Sequence, residues 1–417
     1  MRKRISIRYE NIKYFLLCIA PIMHMYKFVS IITVGEALLV LCIIITFLQN
    51  KNGDTHHLQN STLFRNVLIM LFYYGIISLI GCSIYNTSFI DVLKEYLVWV
   101  LYFVIGFILI ENINLKKFLF IYKKIALFTA VFVIAQYICY QLFHIHIPGM
   151  IPNMVTSYGT ITNHYNDVYF TGARANGFFT EPSFVATYLA IPSIISVFEL
   201  KKDGKMISLF FVIINLALLL TLSGTAIIIL IINIIYYAKY VFKFRKDNLI
   251  YCIIILVISI ATLNYILSLE VFQKLFSRIN EISGNGQFNS GYIRITRGFV
   301  AFFHLPFFSK LFGIGFGNYA TIVTNNLIQY LTTVTSTLVT WLNDIQTYLI
   351  DGGIIGIILY VNYLITDIKK KNKLQLAVLS QFIILQFIDN IFNAPLWLFY
   401  FFIIFSTNNW SNIYGGE

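Results

Sequence analysis

The chain has 417 residues, of which 58% are hydrophobic and only 12% are charged, and its mean hydropathy is +0.77. Soluble globular domains carry about 25% charged residues, so this composition excludes a soluble enzyme and a disordered chain. The net charge of +12 is typical of a membrane protein with basic cytoplasmic loops, so we expect no nucleic-acid partner.

The apolar runs predict an all-α polytopic membrane protein, with residues 1–417 forming a single integral membrane domain. A helix needs about 20 apolar residues to cross the hydrocarbon core, and by this measure we expect about twelve transmembrane helices. The runs lie near 14–31, 32–49, 66–86, 89–111, 120–143, 183–199, 206–222, 224–241, 249–268, 345–365, 374–390 and 394–407. His24 and Lys27 interrupt the long apolar stretch that contains the first two runs, and Ser223-Gly224 predicts a break between the seventh and eighth.

Basic residues predict the orientation of these spans. The start Met1-Arg2-Lys3-Arg4 is followed by an apolar run without a small-residue cleavage site, which predicts an uncleaved first span and a cytoplasmic N-terminus. The inner segments then hold most of the 30 Lys and Arg residues, and the C-terminus is also cytoplasmic. Two long outer segments result, 144–182 and 269–343, and long segments on a rigid scaffold are where chemistry tends to occur.

The first outer segment has Arg174 as its only Lys or Arg. Glu181 and Pro182 follow where the chain returns to the membrane, and both residue types are common at a helix N-terminus. That interpretation leaves Arg174 unexplained, so Arg174 is a candidate anion-binding residue. The spacing of the three histidines fits no common zinc site, so we expect neither a metal nor another cofactor.

The second outer segment contains Arg278, Arg294 and Arg297, on a surface otherwise poor in cations. The last two are three residues apart, which would place them on one face of a helix. Snorkelling to lipid headgroups is one interpretation. The other is an anion site, because guanidinium groups form paired hydrogen bonds with phosphate oxygens. The glycines of 313–317 lack a surrounding βαβ unit and instead predict a tight turn against another backbone.

Polar residues recur where the chain returns to the membrane after this segment. Asp344 and Asp351 are seven apart and therefore on one helical face, while the spacing of Gly352 and Gly356 predicts close helix packing. A later polar stripe on one predicted helical face comprises Gln386, Asp389, Asn390 and Asn393. Ionisable groups inside spans are usually functional, but for Asp389 an outer interfacial position is equally open.

Five segments, in this order and placement, resemble the O-antigen and capsule polysaccharide polymerases (Wzy-type), whose superfamily also includes the O-antigen ligases. They are Arg174 through Ser183, Leu222 through Thr225, Ser290 through Arg294 with Gly313 through Asn318, and Asn343 through Gly356. Ligases and some polymerases carry a functional histidine near the last of these segments. Here the region reads Leu342-Asn343-Asp344, which disfavours a ligase.

The resemblance implies a glycosyltransferase of the bacterial plasma (inner) membrane. Such an enzyme joins undecaprenyl-diphosphate-linked oligosaccharide units at the periplasmic or extracellular face, in O-antigen or capsule synthesis. It requires no cofactor, and its expected partners are the lipid-linked oligosaccharide, the lipid bilayer and a chain-length regulator protein.

The chemistry of that reaction assigns roles to the residues above. A diphosphate leaving group needs cations, which Arg174 and Arg294 can supply with Arg297 and Arg278 in support. The acceptor hydroxyl needs a nearby base. The candidate bases are Glu181 and Asp344, followed by His164.

Three alternatives stay open at this stage. An O-antigen ligase is disfavoured by the missing histidine. A lipid-linked oligosaccharide flippase should have short loops and a charged central cavity, which the long outer segments and the few charges inside the spans disfavour. A small-solute transporter is the third.

Overall fold

The computed structural model describes residues 2–28, 32–49, 61–151, 154–156, 159–160, 174–242, 294–324, 342–392 and 394–406. These residues form helices and connecting turns, apart from two short antiparallel pairings. One joins the two-residue strands β1 (Val155–Thr156) and β2 (Gly159–Thr160), and the other is a single bridge between Lys27 and Thr33. The all-α prediction is confirmed.

Most of the longer helices begin and end close to the predicted apolar runs, but the first helix covers Arg2–Met23 rather than 14–31. In chain order they are α1 (Arg2–Met23), α2 (Val34–Gln49), α3 (Ser61–Tyr85), α4 (Phe89–Glu111), α5 (Leu115–Phe143), α6 (Pro182–Asp203), α7 (Leu209–Leu220), α8 (Gly224–Tyr237), α9 (Arg297–His304), α10 (Phe307–Phe312), α11 (Tyr319–Thr324), α12 (Asp344–Leu364), α13 (Lys373–Gln386) and α14 (Leu396–Phe405). A π-helical turn, Ala238–Phe242, continues α8, and a 3-10 turn, Ile368–Lys370, follows α12.

Six helices of the described part are long and apolar enough to cross a membrane: α3, α4, α5, α6, α8 with its π turn, and α12 with the turn after it. The helices α2, α7, α13 and α14 are apolar but shorter. These helices confirm the membrane character of the chain. The total of about twelve spans stays a prediction, and the run near 249–268 lies outside the described residues.

The long helices differ in how much of their apolar surface is buried within the protein. Only 28% of the most apolar window of α4 is buried, whereas 89% of that of α6 is buried. Large apolar side chains such as Phe72 and Ile84 of α3 are more than half exposed. Lipid can cover such surfaces without any cost in unpaired polar groups, because the backbone of a helix satisfies its own hydrogen bonds.

The chain divides into two compact units. The first unit comprises Met1–Lys13, Leu39–Leu115 and Ile282–Asn408, and the second comprises Tyr14–Leu38, Lys116–Glu281 and Asn409–Glu417. The single membrane domain expected from the sequence stays a prediction.

In the first unit, α3, α4 and α12 surround an aromatic core centred on Trp99. Its ring lies 4.9 Å from that of Tyr74, 4.6 Å from that of Phe316 and 4.8 Å from that of Phe392, measured between centroids. A methyl group at Gly352 would come within 2.5 Å of the Tyr74 ring, so α12 approaches α3 closely at this glycine. The packing predicted from the glycine spacing is confirmed.

The turn 313–317 lies against three helices of the same unit. Gly313, Gly315 and Gly317 all have positive φ angles, which residues with a Cβ adopt at a cost. A Cβ on Gly315 would lie 2.3 Å from the Cα of Ser78 in α3, and one on Gly313 would lie 2.2 Å from the Asp351 carbonyl oxygen in α12. The tight turn against another backbone is therefore confirmed.

In the second unit, α6 packs against α7 and α8. The helix α7 ends at Leu220 and α8 begins at Gly224, with Leu222 at a φ of +50° between them, which confirms the predicted break. The Tyr188 hydroxyl of α6 donates to the Cys18 carbonyl oxygen over 3.0 Å, so α6 also contacts α1.

Candidate anion-binding site

Arg294 is one of the predicted cations, and it has a defined carboxylate partner. Its Nη1 forms an ion pair with Oδ1 of Asp389, a residue of the turn that follows α13. The Arg294 side chain is 23% exposed, while Asp389 is 2% exposed. An opposite charge stabilises a buried carboxylate, so the pairing with Asp389 fixes the direction of the guanidinium, while the Arg294 side chain stays partly exposed.

The N-terminus of α12 holds the backbone beside Arg294. Asn343 and Gln346 form a capping box, in which the Asn343 side chain accepts from the Gln346 N–H over 2.8 Å. The Asn343 Nδ2 group also donates to the carbonyl oxygens of Arg294 and Phe387, each over 2.7 Å. The Asn343 side chain therefore joins the N-terminus of α12 to the backbone of Arg294 and to the backbone just before Asp389.

The N-terminus of α12, Arg294 and the turn that follows α13 meet in what we call the arginine junction. Asp344, a candidate base, lies in this junction and is 1% exposed. Its carboxylate accepts hydrogen bonds from the backbone N–H groups of Ile391, over 3.0 Å, and Phe392, over 3.2 Å. These bonds give Asp344 a structural role in holding the turn that carries Asp389. Its role as a base stays a prediction.

Arg297 begins α9 and has different surroundings from Arg294. It is 2% exposed, so its positive charge lies below the surface of the protein. Burial raises the pKa of the Tyr319 phenol to about 12; the positive charge of Arg297 opposes this rise and the Asp351 carboxylate adds to it. Arg297, Tyr319 and Asp351 therefore lie close enough to interact electrostatically.

Arg174 and Glu181 belong to the second unit. Gln136 of α5 holds the segment between them, since its Oε1 accepts from the Gly177 N–H over 2.8 Å and its Nε2 donates to the Ile147 carbonyl oxygen over 2.9 Å. Arg174 is half-buried. Glu181 is the N-cap residue of α6, but its carboxylate accepts from the Ser183 hydroxyl over 3.2 Å rather than from the helix backbone.

The first unit thus brings together Arg294, Arg297 and Asp344, and the second holds Arg174 and Glu181. Arg278 and His164 lie outside the described residues. Within the described part of the chain, no group of three or more His, Cys, Asp or Glu residues could hold a metal ion. The metal-free site stays a prediction.

The sequence did not identify Asp389 as the partner of Arg294. The stripe predicted for Gln386 and Asp389 on one helical face is wrong, because α13 ends at Gln386. Gln386 instead accepts a hydrogen bond from the Tyr360 hydroxyl over 2.8 Å. The available signal was an acidic residue at the end of an apolar run, which indicates a partner without naming it.

No family model matches the chain, and no curated protein matches it.

Proposed function

We propose that the protein is a polysaccharide polymerase of about twelve spans in the bacterial plasma membrane. It joins undecaprenyl-diphosphate-linked oligosaccharide units at the outer face of that membrane. The lipid diphosphate is the leaving group, and the acceptor is a hydroxyl of the terminal sugar of a second lipid-linked unit. The new glycosidic bond replaces the sugar–phosphate bond, and the acceptor proton passes to a base.

The observation that carries this proposal is Arg294. This cation lies beside the N-terminus of an apolar helix long enough to cross a membrane, and a buried carboxylate fixes its direction. A diphosphate attached to a membrane lipid lies between the lipid chains and water, which is where we expect the end of a spanning helix. Fixed guanidinium donors stabilise the charge that develops on such a leaving group without having to reorient.

The test measures polymerisation of lipid-linked repeat units by the purified full-length protein. Arg294→Ala should lower the rate by roughly 10²-fold or more, the usual loss for one electrostatic donor to developing charge. Arg294→Lys should also be poor, because a single ammonium cannot pair with Asp389 and present a planar fork to phosphate. Arg174→Ala should abolish long chains while the protein still inserts into the membrane.

Lys310→Ala is the matched control, since Lys310 is a cation of the same segment in α10. It should leave the rate close to that of the wild type. A normal rate in Arg294→Lys would show that paired hydrogen bonds are unnecessary and that positive charge alone suffices. A normal rate in Arg294→Ala would overturn the proposed leaving-group site.

A further inference from the structure

A polar cavity of about 410 Å³ lies in the first unit, beside the turn that joins α3 to α4. Its volume falls within the roughly 300–1,000 Å³ of small-molecule sites. Such sites are mostly apolar, but more than half of the lining here is polar. The side chains with charged, amide or hydroxyl groups include Asn86, Ser88, Asp91, Lys94, Glu95 and Thr321.

The wall of the cavity is fixed by the glycine turn described above. Gly317 has a φ of +75°, and a Cβ there would lie 2.9 Å from the Cα of Val92 in α4. The Gly317 N–H donates to the Glu95 carboxylate. Glu95 is therefore held at the cavity by a backbone group, while its side chain remains exposed.

The charges of the lining exclude two classes of ligand. The carboxylates of Asp91 and Glu95 outnumber the ammonium group of Lys94, so a phosphate would meet net negative charge. A lipid chain would lie against three charged side chains and could not replace their lost hydration. A neutral ligand with many hydroxyl groups fits, because carboxylates accept from hydroxyl hydrogens and an ammonium group donates to hydroxyl or ring oxygens.

We propose that this cavity binds a sugar residue, with Glu95 accepting hydrogen bonds from its hydroxyl groups and Lys94 donating to its oxygens. Identifying that sugar as part of the acceptor unit rests on the proposed function. Binding itself does not, since it depends only on the hydroxyl groups of the ligand. On that function, the cavity would hold a sugar of the acceptor unit, while the arginine junction would hold the diphosphate of the donor.

The test uses the full-length protein in lipid nanodiscs and a lipid-free probe. The probe is the repeat-unit oligosaccharide released by mild acid from the lipid-linked precursors of the cell that makes this protein. Saturation-transfer NMR detects contact, and a titration gives the Kd. Glu95→Gln should weaken binding by about tenfold or more, since hydrogen bonds to charged groups are the strong ones.

The Glu95→Gln change keeps an oxygen that can accept from the Gly317 N–H, so the turn should survive. Lys94→Met is a second variant at an exposed position and should weaken binding without affecting the fold. Asp203→Asn removes an exposed carboxylate at the end of α6 and should bind as the wild type does.

Three results would overturn this inference. The first is no saturable binding by the wild-type protein, and the second is equal Kd values for the wild type, Glu95→Gln and Lys94→Met. The third is saturable Ca²⁺ binding that Glu95→Gln removes and that the oligosaccharide does not affect, which would make the cavity a cation site.

The failure of this inference is distinguishable from that of the proposed function. Glu95-dependent sugar binding without turnover of lipid-linked substrate would retain the cavity and reject the polymerase. Turnover without Glu95-dependent binding would retain the polymerase and reject the sugar-binding cavity.

Discussion

At the scale of single residues, Arg294 and Asp389 illustrate how a charged group can be both fixed and accessible. Removing one partner of a buried ion pair costs about 3–5 kcal/mol, because the other charge is left uncompensated. Asp389 therefore keeps Arg294 at the N-terminus of α12, where the Asn343 side chain binds the adjoining backbone. Asp389 is a positioning residue in this arrangement, and it acts through Arg294.

The two candidate carboxylate bases can be separated by paired amide substitutions. Glu181→Gln or Asp344→Asn should lower the polymerisation rate by roughly 10²-fold, the usual contribution of a general base. Asparagine at 344 retains one acceptor oxygen for the two N–H groups of the following turn. Thermal unfolding should accompany the rate measurement, because a lower Tm with a normal rate would assign Asp344 a structural role alone.

The same assay is run in excess EDTA, where the wild type should polymerise normally. Loss of activity that Mg²⁺ or Mn²⁺ restores would contradict the metal-free mechanism. Near-normal rates in both amide variants would exclude the carboxylates and direct attention to His164.

At the scale of elements, the glycine turn 313–317 is the clearest structural constraint. Gly315→Ala should destabilise the first unit strongly, since the methyl group would lie 2.3 Å from the Ser78 Cα and overpacking adds about 1–3 kcal/mol to the cost of a positive φ. Gly204→Ala is the control, because Gly204 has a φ of +64° and a methyl group added there would meet no atom within 4 Å. The Tm should fall much further for Gly315→Ala than for Gly204→Ala. Equal decreases would mean that the close contact contributes little to stability.

Lys371, beyond the end of α12, should make stability depend on pH. Its ammonium donates to the Ile404 carbonyl oxygen over 2.8 Å, and burial lowers its pKa to about 8, while the Asp367 carboxylate opposes that change. The folded protein then binds fewer protons than the unfolded chain between about pH 8 and pH 10.5. Stability from this group should therefore rise with pH across that range.

This dependence can be measured as the difference in Tm between the wild type and Lys371→Met at about pH 7 and at about pH 9.5, on either side of the lowered pKa. The Tm of the wild type should rise relative to that of the variant at the higher pH. Lys369→Met, at an exposed neighbouring position, should show no such change. A pH-independent difference for Lys371→Met would contradict the lowered pKa.

Local sequence patterns predicted most helices and turns, but they could not predict partners that are distant in the sequence. Glycine spacing identified the turn at 313–317, and Ser223-Gly224 identified the break before α8, because both signals are contained in a few neighbouring residues. The pairing of Arg294 with Asp389 could not be predicted, since these residues are 95 positions apart. Glu95 was missed because an acidic residue near the start of an apolar helix has an ordinary explanation in the helix dipole.

At the scale of the whole molecule, contacts within each unit show which helix ends lie side by side. In the second unit, Lys123 near the start of α5 pairs with Glu199 near the end of α6, so these two basic ends lie at the same level. In the first unit, Asn66 of α3 donates to the Thr366 hydroxyl over 3.0 Å, beside the Lys369–Lys371 run. The side of the membrane on which these helix ends lie stays a prediction of the positive-inside rule.

We therefore expect alkaline-phosphatase fusions to report opposite sides of the membrane at two positions. Activity should be low after Lys202, at the basic end of α6, and high after Asn285, in the second long outer segment. The reason is that Lys and Arg near the ends of spans are retained in the cytoplasm, where the phosphatase does not fold into an active form. A green fluorescent protein fused at the same two positions should give the inverse signals. High phosphatase activity after Lys202 with low activity after Asn285 would reverse the orientation, and the arginine junction would then face the cytoplasm.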